Sequence, residues 1–267
     1  MSEKNESFSL PALTIVVGHY GVGKTNLALN LVLLQRKTLQ GGKTSQALVD
    51  LDIVNPYFRS GDFARGLQTL GISLLGPVHG ASNLDTPSLM PGIDVAITEA
   101  SPKHPVIIDV GGDADGARAL ARYASMIENQ PDRMVLYVVN SARPEVSTPQ
   151  AALQIMREIE ETSGVSITHI AGNTHLKEQT TAETVIASLP YVLNLAVDAE
   201  LPVAFVAAPR SYAAEVQDAA AAGLRTTTPV DIQAVEATNA QPAPTLCILP
   251  IDILVGCSWE ALSPLVS

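Results

Sequence analysis

The residues with the clearest chemistry form the segment Gly18–Thr25, which reads GHYGVGKT. It fits the pattern G-x-x-x-x-G-K-[ST] of a phosphate-binding loop, and an apolar run precedes it while a helical pattern follows it. Gly18, Gly21 and Gly23 let the backbone curl so that its N–H groups face an anion. The positive end of the following helix strengthens that field. The segment therefore predicts a site for a nucleotide's phosphates.

Two side chains of this loop carry specific roles. Lys24 is expected to bring a positive charge to the β- and γ-phosphates, and the hydroxyl of Thr25 is expected to coordinate Mg²⁺. We therefore expect a nucleoside triphosphate and Mg²⁺ as the bound groups. The other loop residues predicted to line the site are Gly18, His19, Gly21, Val22, Gly23 and Asn26.

A phosphate-binding loop of this kind needs acidic partners near the metal ion. Asp109, in VIIDVGGD, is expected to support Mg²⁺ through its water ligands, and Gly112 to bring a backbone N–H to the γ-phosphate. In LVDLDIVNP, we assign Asp50 to the Mg²⁺ shell and Asp52 to the attacking water, which it positions or deprotonates. The alternative for either of these two is a residue that caps the next turn.

The nucleobase is predicted from a missing motif. The tetrapeptide Asn-Lys-x-Asp, which reads guanine in common GTPases, does not occur, and neither Asn140 nor Asn173 is followed by Lys-x-Asp. Adenine is therefore the expected base and ATP the expected ligand. Asn173 is expected to bond the adenine edge, and the backbone around Pro209 to complete the pocket. Asn173 fits equally well as a turn residue with a left-handed backbone.

Apolar runs and helical patterns alternate along the chain. They predict an α/β fold with a mostly parallel sheet and helices on both faces, the P-loop NTPase fold. We expect one domain over residues 1–267, with a loop at 77–91 and an irregular C-terminal extension from about residue 224. The predicted strands are 13–18, 47–50, 72–75, 105–110, 134–140, 165–171, 203–208 and 245–254. The predicted helices are 24–39, 61–70, 93–100, 117–128, 149–161, 182–197 and 213–222.

Composition limits the possible partners. Of the 267 residues, 46% are apolar and 16% are charged, which is typical of a folded core rather than a disordered chain. The net charge of −11, without a Lys/Arg cluster beside the motifs, argues against nucleic acid or an anionic membrane as a partner. No apolar stretch is long enough to span a membrane, and the first nine residues lack the pattern of a secretory signal, so a cytoplasmic location is expected.

Three strings resemble one known group of proteins. HYGVGKT at 19–25, DLD at 50–52 and IDVGGD at 108–113 are similar to the MinD/ParA branch of P-loop ATPases, and the resemblance runs from about Leu13 to about Arg210. DLDIVNPYFRS, DVGGDADGARAL and GNTHL resemble a poorly characterised ATP-binding subgroup of that branch. The resemblance implies a Mg-ATP-dependent switch that forms a homodimer face to face across two nucleotides. The switch-like loops after Asp50 and Asp109 favour a slow ATPase that acts on a protein or metallocentre partner.

The chain departs from that branch at His19. A second lysine usually stands at this position and reaches the phosphates of the partner subunit. Either His19 donates a hydrogen bond across such an interface, or the trans contact is absent and His19 is only a loop residue. Cys247 and Cys257 lie in the tail, so no iron–sulfur cluster is expected.

Two other functions remain open. One is an ATP-dependent ligase or kinase of the dethiobiotin-synthetase type, which we rank second because no cluster of Lys and Arg side chains is evident for an anionic substrate. The other is a nucleotide sensor that does not catalyse hydrolysis.

Overall fold

The computed structural model describes residues 8–39, 45–52, 61–76, 92–226 and 246–255. Strands within these residues form one parallel sheet with helices on both faces. They are β1 (Leu13–Val17), β2 (Gln46–Leu51), β3 (Ile72–Leu75), β4 (Val106–Val110), β5 (Arg133–Val139), β6 (His169–Gly172), β7 (Val203–Pro209) and β8 (Ile248–Ile251). The helices are α1 (Lys24–Thr38), α2 (Gly61–Thr69), α3 (Ile93–Thr98), α4 (Ala114–Ala121), α5 (Ala124–Glu128), α6 (Pro149–Ser163), α7 (Ala182–Ala199) and α8 (Ala213–Thr226).

Burial on both faces explains the composition of the central strands. Every residue of β1 (LTIVV) and β4 (VIIDV) is buried, as expected for parallel strands covered by helices on each side. α1 packs against β1, β2 and β4, while α4, α6, α7 and α8 pack side by side. The core is thus an apolar sheet between two helical layers.

The strand order places the functional loops. The order across the sheet is β3-β2-β4-β1-β5-β6-β7-β8, with all neighbours parallel. The chain leaves β1 towards one edge through β2 and β3, returns to β4, and then continues towards the other edge from β5. Strands therefore diverge on the two sides of β1, and ligands of open α/β sheets bind at such a point, at the carboxyl ends of the strands.

The predicted helix at 117–128 is wrong in detail, since two helices occupy this stretch. α4 begins three residues earlier than expected, because the Asp113 side chain caps it by accepting from Gly116 N at 2.8 Å. It ends at Ala121, and the N–H of buried Tyr123 bonds to Leu120 O at 2.9 Å in a tighter turn before α5 begins.

The predicted strand at 165–171 is also wrong at its start, because β6 begins only at His169. Side chains take the backbone N–H groups that a neighbouring strand would otherwise bond. Ser163 Oγ accepts from Val165 N at 3.2 Å, and Glu160 Oε1 accepts from Ile167 N at 2.8 Å.

The remaining elements match the predictions to within a few residues, and β8 is shorter than the predicted strand at 245–254. The predicted loop at 77–91 lies outside the described residues. Most of the predicted irregular extension from about residue 224 lies outside them as well. Within the described part of the chain, none of the helices has the length and hydropathy needed to cross a membrane.

Candidate functional site

The loop between β1 and α1 has a backbone that requires glycine at its end. Gly23 has φ of +90° and precedes α1 as its N-cap residue. A Cβ at this position would lie 2.6 Å from Asn173 Nδ2 and 2.7 Å from His175 Nε2, so no larger residue fits. With no side chain to cap it, the start of α1 presents backbone N–H groups and the positive end of the helix dipole.

Two side chains from neighbouring strands hold the carbonyl groups of this loop. Arg143 Nε, after β5, donates to Gly21 O at 2.8 Å, and Asn173 Nδ2, after β6, donates to Val22 O at 2.8 Å. Two consecutive carbonyl groups are therefore fixed by bonds to the protein. This pre-shapes the loop before any ligand binds, because the N–H groups cannot be turned without breaking these bonds.

Lys24 is buried at the base of the loop, with 7% of its surface exposed. Its Nζ donates to His19 O at 3.0 Å. Burial lowers the pKa of Lys24 below its ordinary value, and the carboxylates of Asp109 and Asp52 oppose that shift. A Cβ on Gly112 would lie 2.6 Å from Lys24 Nζ, which places the loop after β4 directly against the ammonium group.

Three acids lie at the ends of β2 and β4. Asp109 is 1% exposed, and burial raises its pKa to about 7, while the charge of Lys24 and a hydrogen bond from Thr25 oppose that rise. Asp50 is also buried and accepts from the backbone N–H of Asp52 at 2.9 Å through Oδ1. Asp52 is half-buried and sits beside the loop that follows β4.

These groups fit a magnesium ion. The Thr25 hydroxyl bonds to Asp109, whose Oδ1 is buried without a hydrogen bond to any described residue. An orphaned carboxylate oxygen beside a hydroxyl is a suitable donor pair for Mg²⁺, which takes one or two protein oxygens and completes its shell with phosphate and water. The described residues hold no cluster of three or more His, Cys, Asp or Glu side chains that could bind a metal ion.

A cavity of about 1050 Å³ opens at the carboxyl ends of the strands, above this loop. Its size is at the upper end of the range for small-molecule sites. The predicted site residues that line it are Gly21, Gly23, Lys24, Thr25, Asn26, Asp52, Gly112, Asn173 and Pro209.

Five predicted residues do not line this cavity. Gly18 and His19 line a separate cavity of about 270 Å³ between the loop, α4 and α6. Val22, Asp50 and Asp109 are buried beneath the main cavity.

The alternative interpretation of Asn173 as a left-handed turn residue is wrong. Among the described non-glycine residues, only Lys177 and Glu200 have a positive φ. Asn173 is buried, and its amide nitrogen donates to Val22 O. It therefore supports the phosphate-binding loop from the end of β6, which lies two strands from β1 in the sheet. Whether its amide also bonds a base stays a prediction.

Sequence patterns alone missed the cationic lining of the cavity. Lys24, Arg143, Lys177 and Arg210 all line it, although no Lys/Arg cluster is visible along the sequence. These charged side chains come together because the loops after β1, β5, β6 and β7 all lie at the carboxyl ends of the strands. The position of Arg143, directly after a predicted strand, is the one signal that points to it.

His175 is part of this lining rather than plain polar surface. It is half-buried, its Nδ1 accepts from Lys177 N at 3.4 Å, and its Nε2 faces Gly23. Burial lowers the pKa of His175, and the neighbouring charge of Arg143 lowers it further. Both effects favour the neutral ring of His175 beside the phosphate-binding loop.

Comparison with known proteins gives distant likenesses only. A scan with protein-family models gave no match, and a search of curated proteins gave none either. Among solved structures, the cell division protein FtsY from Thermotoga maritima is 18% identical, with 76% of this chain and 65% of that chain covered and a TM-score of 0.47. FlhF complexed with GTP and Mg²⁺ is 14% identical, with 75% and 66% covered and a TM-score of 0.46.

A GTPase from Pyrococcus abyssi in its apo form is 13% identical, with 95% of each chain covered and a TM-score of 0.33. The chain spans 65% of the FtsY chain and 66% of the FlhF chain, less than two thirds of either. At these identities, no ligand or activity is carried over from these proteins to this chain.

Proposed function

We propose that this protein binds Mg-ATP and hydrolyses it slowly, as a switch ATPase. One observation carries the proposal: Lys24 and Thr25 of the phosphate-binding loop lie against the buried acid Asp109, beneath a cavity of about 1050 Å³. This arrangement joins an anion site to a cation site, which is the combination that a metal-bound triphosphate requires.

Within this site the residues divide by the part of the ligand they face. The backbone N–H groups of the loop and Lys24 bind the phosphates, and Gly112 brings the loop after β4 against Lys24. Thr25 and Asp109 would hold Mg²⁺, with Asp50 beside Asp109 on the neighbouring strand. The metal ion, when bound, neutralises charge on the phosphate oxygens.

Asp52 faces the cavity and is our candidate for the residue that orients or deprotonates the attacking water. Its backbone N–H is tied to Asp50, so the position of its Cα is fixed relative to the metal ligands. Because Gly111 packs beside Asp52, the carboxylate lies next to the loop that would respond to the γ-phosphate.

ATP remains the proposed nucleotide because the chain lacks the guanine-reading tetrapeptide. The MinD/ParA resemblance supports a face-to-face homodimer and a protein or metallocentre partner as further parts of the proposal. At the position of the branch lysine, the ring of His19 is half-buried and its Nδ1 donates to Tyr20 O at 3.1 Å. Tyr20 beside it is 64% exposed, which leaves an aromatic ring at the rim for a second copy to contact.

A ligase or kinase stays the second candidate, and one observation favours it more than the sequence did. Arg143 and Lys177 line the cavity as well as Lys24, so positive groups for an anionic second substrate are present. Hydrolysis of ATP in the absence of any second substrate distinguishes the two functions, since a ligase requires its acceptor.

The first experiment uses the purified wild-type protein. We expect calorimetric titration to give a Kd below about 1 mM for ATP with Mg²⁺, weaker binding of GTP, and binding reduced about tenfold or more by EDTA. We expect phosphate release without added substrate at a rate below about 1 s⁻¹. Solution mass with ADP and with a non-hydrolysable ATP analogue tests the dimer on the same samples. Tighter binding of GTP than of ATP would contradict the base assignment, and no binding of either would contradict the function.

Arg143→Ala is expected to weaken Mg-ATP binding about tenfold, because it removes a charged hydrogen bond to Gly21 O and a cation from the cavity wall. Arg143→Lys should recover part of the affinity by restoring the charge without the planar fork. Titration of both variants measures this, with Arg157→Ala on the exposed side of α6 as the matched control. Equal affinity in wild type and Arg143→Ala would remove Arg143 from the site.

A further inference from the structure

The end of β8 and the residues after it form a segment that is hydrogen-bonded to the helix that follows the phosphate-binding loop. Asn26 and Asn30 of α1, which we call the Asn clamp, make the bonds. Asn26 Nδ2 and Asn30 Nδ2 donate to Asp252 O at 3.0 and 2.9 Å, and Asn30 Oδ1 accepts from Asp252 N at 2.9 Å. Asn26 Oδ1 accepts from Leu254 N at 2.7 Å and from Val255 N at 3.2 Å. The segment 251–255 is therefore held by five hydrogen bonds to two side chains.

The spacing of the clamp explains how it works. Asn26 and Asn30 are four residues apart and so lie on one face of α1. Asn30 Nδ2 also donates to Asn26 O at 2.8 Å, which fixes its own amide group. Since α1 starts at Lys24, the clamp fixes the segment 251–255 relative to the phosphate-binding loop. The direct ligand role predicted for Asn26 is therefore unnecessary to explain its side chain, whose polar atoms already bond this segment.

The clamped segment forms an apolar wall of the main cavity. Ile251, Ile253 and Val255 line it, together with Ala207 and Pro209 at the end of β7. Ile253 is 48% exposed and Val255 is 36% exposed, so apolar surface faces the cavity and solvent rather than the core. Apolar surface that lines a cavity is typical of a small-molecule site, and the flat faces of a nucleobase are a part of a nucleotide that such a surface can contact.

The distance from the phosphate site suits the far end of a nucleotide. β7 lies three strands from β1 in the sheet, which at about 4.8 Å per strand is about 14 Å. The phosphate-binding loop lies at the end of β1, and the apolar wall lies at the ends of β7 and β8. At the rim of that wall, Arg210 Nη2 and Asp252 Oδ2 form an ion pair of 2.7 Å, which offers both a donor and an acceptor to the edge of a base.

We propose that the Asn clamp positions the segment 251–255 as the nucleobase-side wall of the cavity, so that Asn26 and Asn30 are positioning residues for the base and not for the phosphates. The proposal rests on nucleotide binding as the function. The proposal implies that a planar nucleobase occupies the part of the cavity beside the segment 251–255. It also implies that this segment contributes to the affinity for the nucleotide.

The experiment compares ATP with inorganic tripolyphosphate, each with Mg²⁺, by calorimetric titration. Wild type should bind ATP at least about tenfold more tightly than tripolyphosphate, since only ATP has a base. Asn30→Ala, which lies outside the cavity lining, should lose about tenfold in ATP affinity and leave tripolyphosphate affinity unchanged. Asn194→Ala, exposed on α7, is the matched control and should change neither.

A second variant covers the case in which Asn30→Ala does not fold. Val255→Glu adds a charge to the exposed apolar wall without opening the core, and it should also weaken ATP and spare tripolyphosphate. Equal losses for both ligands, or no loss for ATP in a folded variant, would overturn the positioning role. Wild-type protein that binds tripolyphosphate as tightly as ATP would overturn the base wall but not phosphate binding. Wild-type protein that binds neither would overturn the proposed function itself.

Discussion

Lys24→Ala is expected to weaken the binding of Mg-ATP by about 100-fold or more, the largest effect on affinity that we predict. The ammonium group is buried among three acids, Asp109, Asp52 and Asp113, whose charges it offsets. Its removal leaves these carboxylates facing the phosphates without compensation. Truncating one partner of a charge pair that is buried in a binding site costs about 2–5 kcal/mol, and about 2.8 kcal/mol corresponds to 100-fold in affinity.

Calorimetric titration of Lys24→Ala with ATP and Mg²⁺ measures this loss. Lys103→Ala is the matched control. Lys103 is exposed just before β4, at the amino end of the strand, whereas the cavity lies at the carboxyl ends. The thermal midpoint of Lys24→Ala should fall, since the buried carboxylates lose the charge that offsets them, so the titration is made at a temperature at which the variant is folded. A folded Lys24→Ala protein that binds ATP within about twofold of wild type would remove Lys24 from the phosphate site.

The fold was predictable where burial dictates the sequence locally. β4 reads as an apolar run because both of its faces are covered, and α6 starts where Thr148 caps it by accepting from Ala151 N at 3.2 Å. The start of β6 was not predictable, because the N–H of Ile167 is taken by Glu160, a side chain of the preceding helix. Such a contact is set by packing and leaves no pattern along the sequence.

Some residues of the candidate site could likewise be predicted from the sequence, and others could not. The phosphate-binding loop is one contiguous motif, so Lys24 and Thr25 could be assigned from sequence. Arg143 could not, because its role depends on β5 lying beside β1, which the order of motifs along the chain does not reveal. The role of Asn30 is even harder to predict from the sequence, because its partner Asp252 lies 222 residues away along the chain.

Asp52→Ala is expected to lower the rate of ATP hydrolysis by about 100-fold or more while leaving the affinity for Mg-ATP within about threefold of wild type. The reason is that Asp50, Asp52 and Asp109 are expected to have different roles. Asp109 and Asp50 are buried under the cavity and bonded to Thr25 and to the Asp52 backbone, so they remain in place when the Asp52 carboxylate is removed. Asp52 alone of the three lines the cavity, where a water molecule would attack.

Single-turnover phosphate release and calorimetric titration, made on the same preparation, separate the two parts of this prediction. Asp218→Ala, exposed on α8, is the matched control for removal of one acid from a chain of net charge −11. If Asp52→Ala lost affinity and rate together, Asp52 would be a ligand of the Mg-nucleotide complex, and Asp50 would be the next candidate for the water. If the rate were unchanged, hydrolysis would not use a carboxylate at this position. The expected result, a slow enzyme that still binds ATP, would separate the switch ATPase from a sensor, because a sensor has no turnover for Asp52 to support.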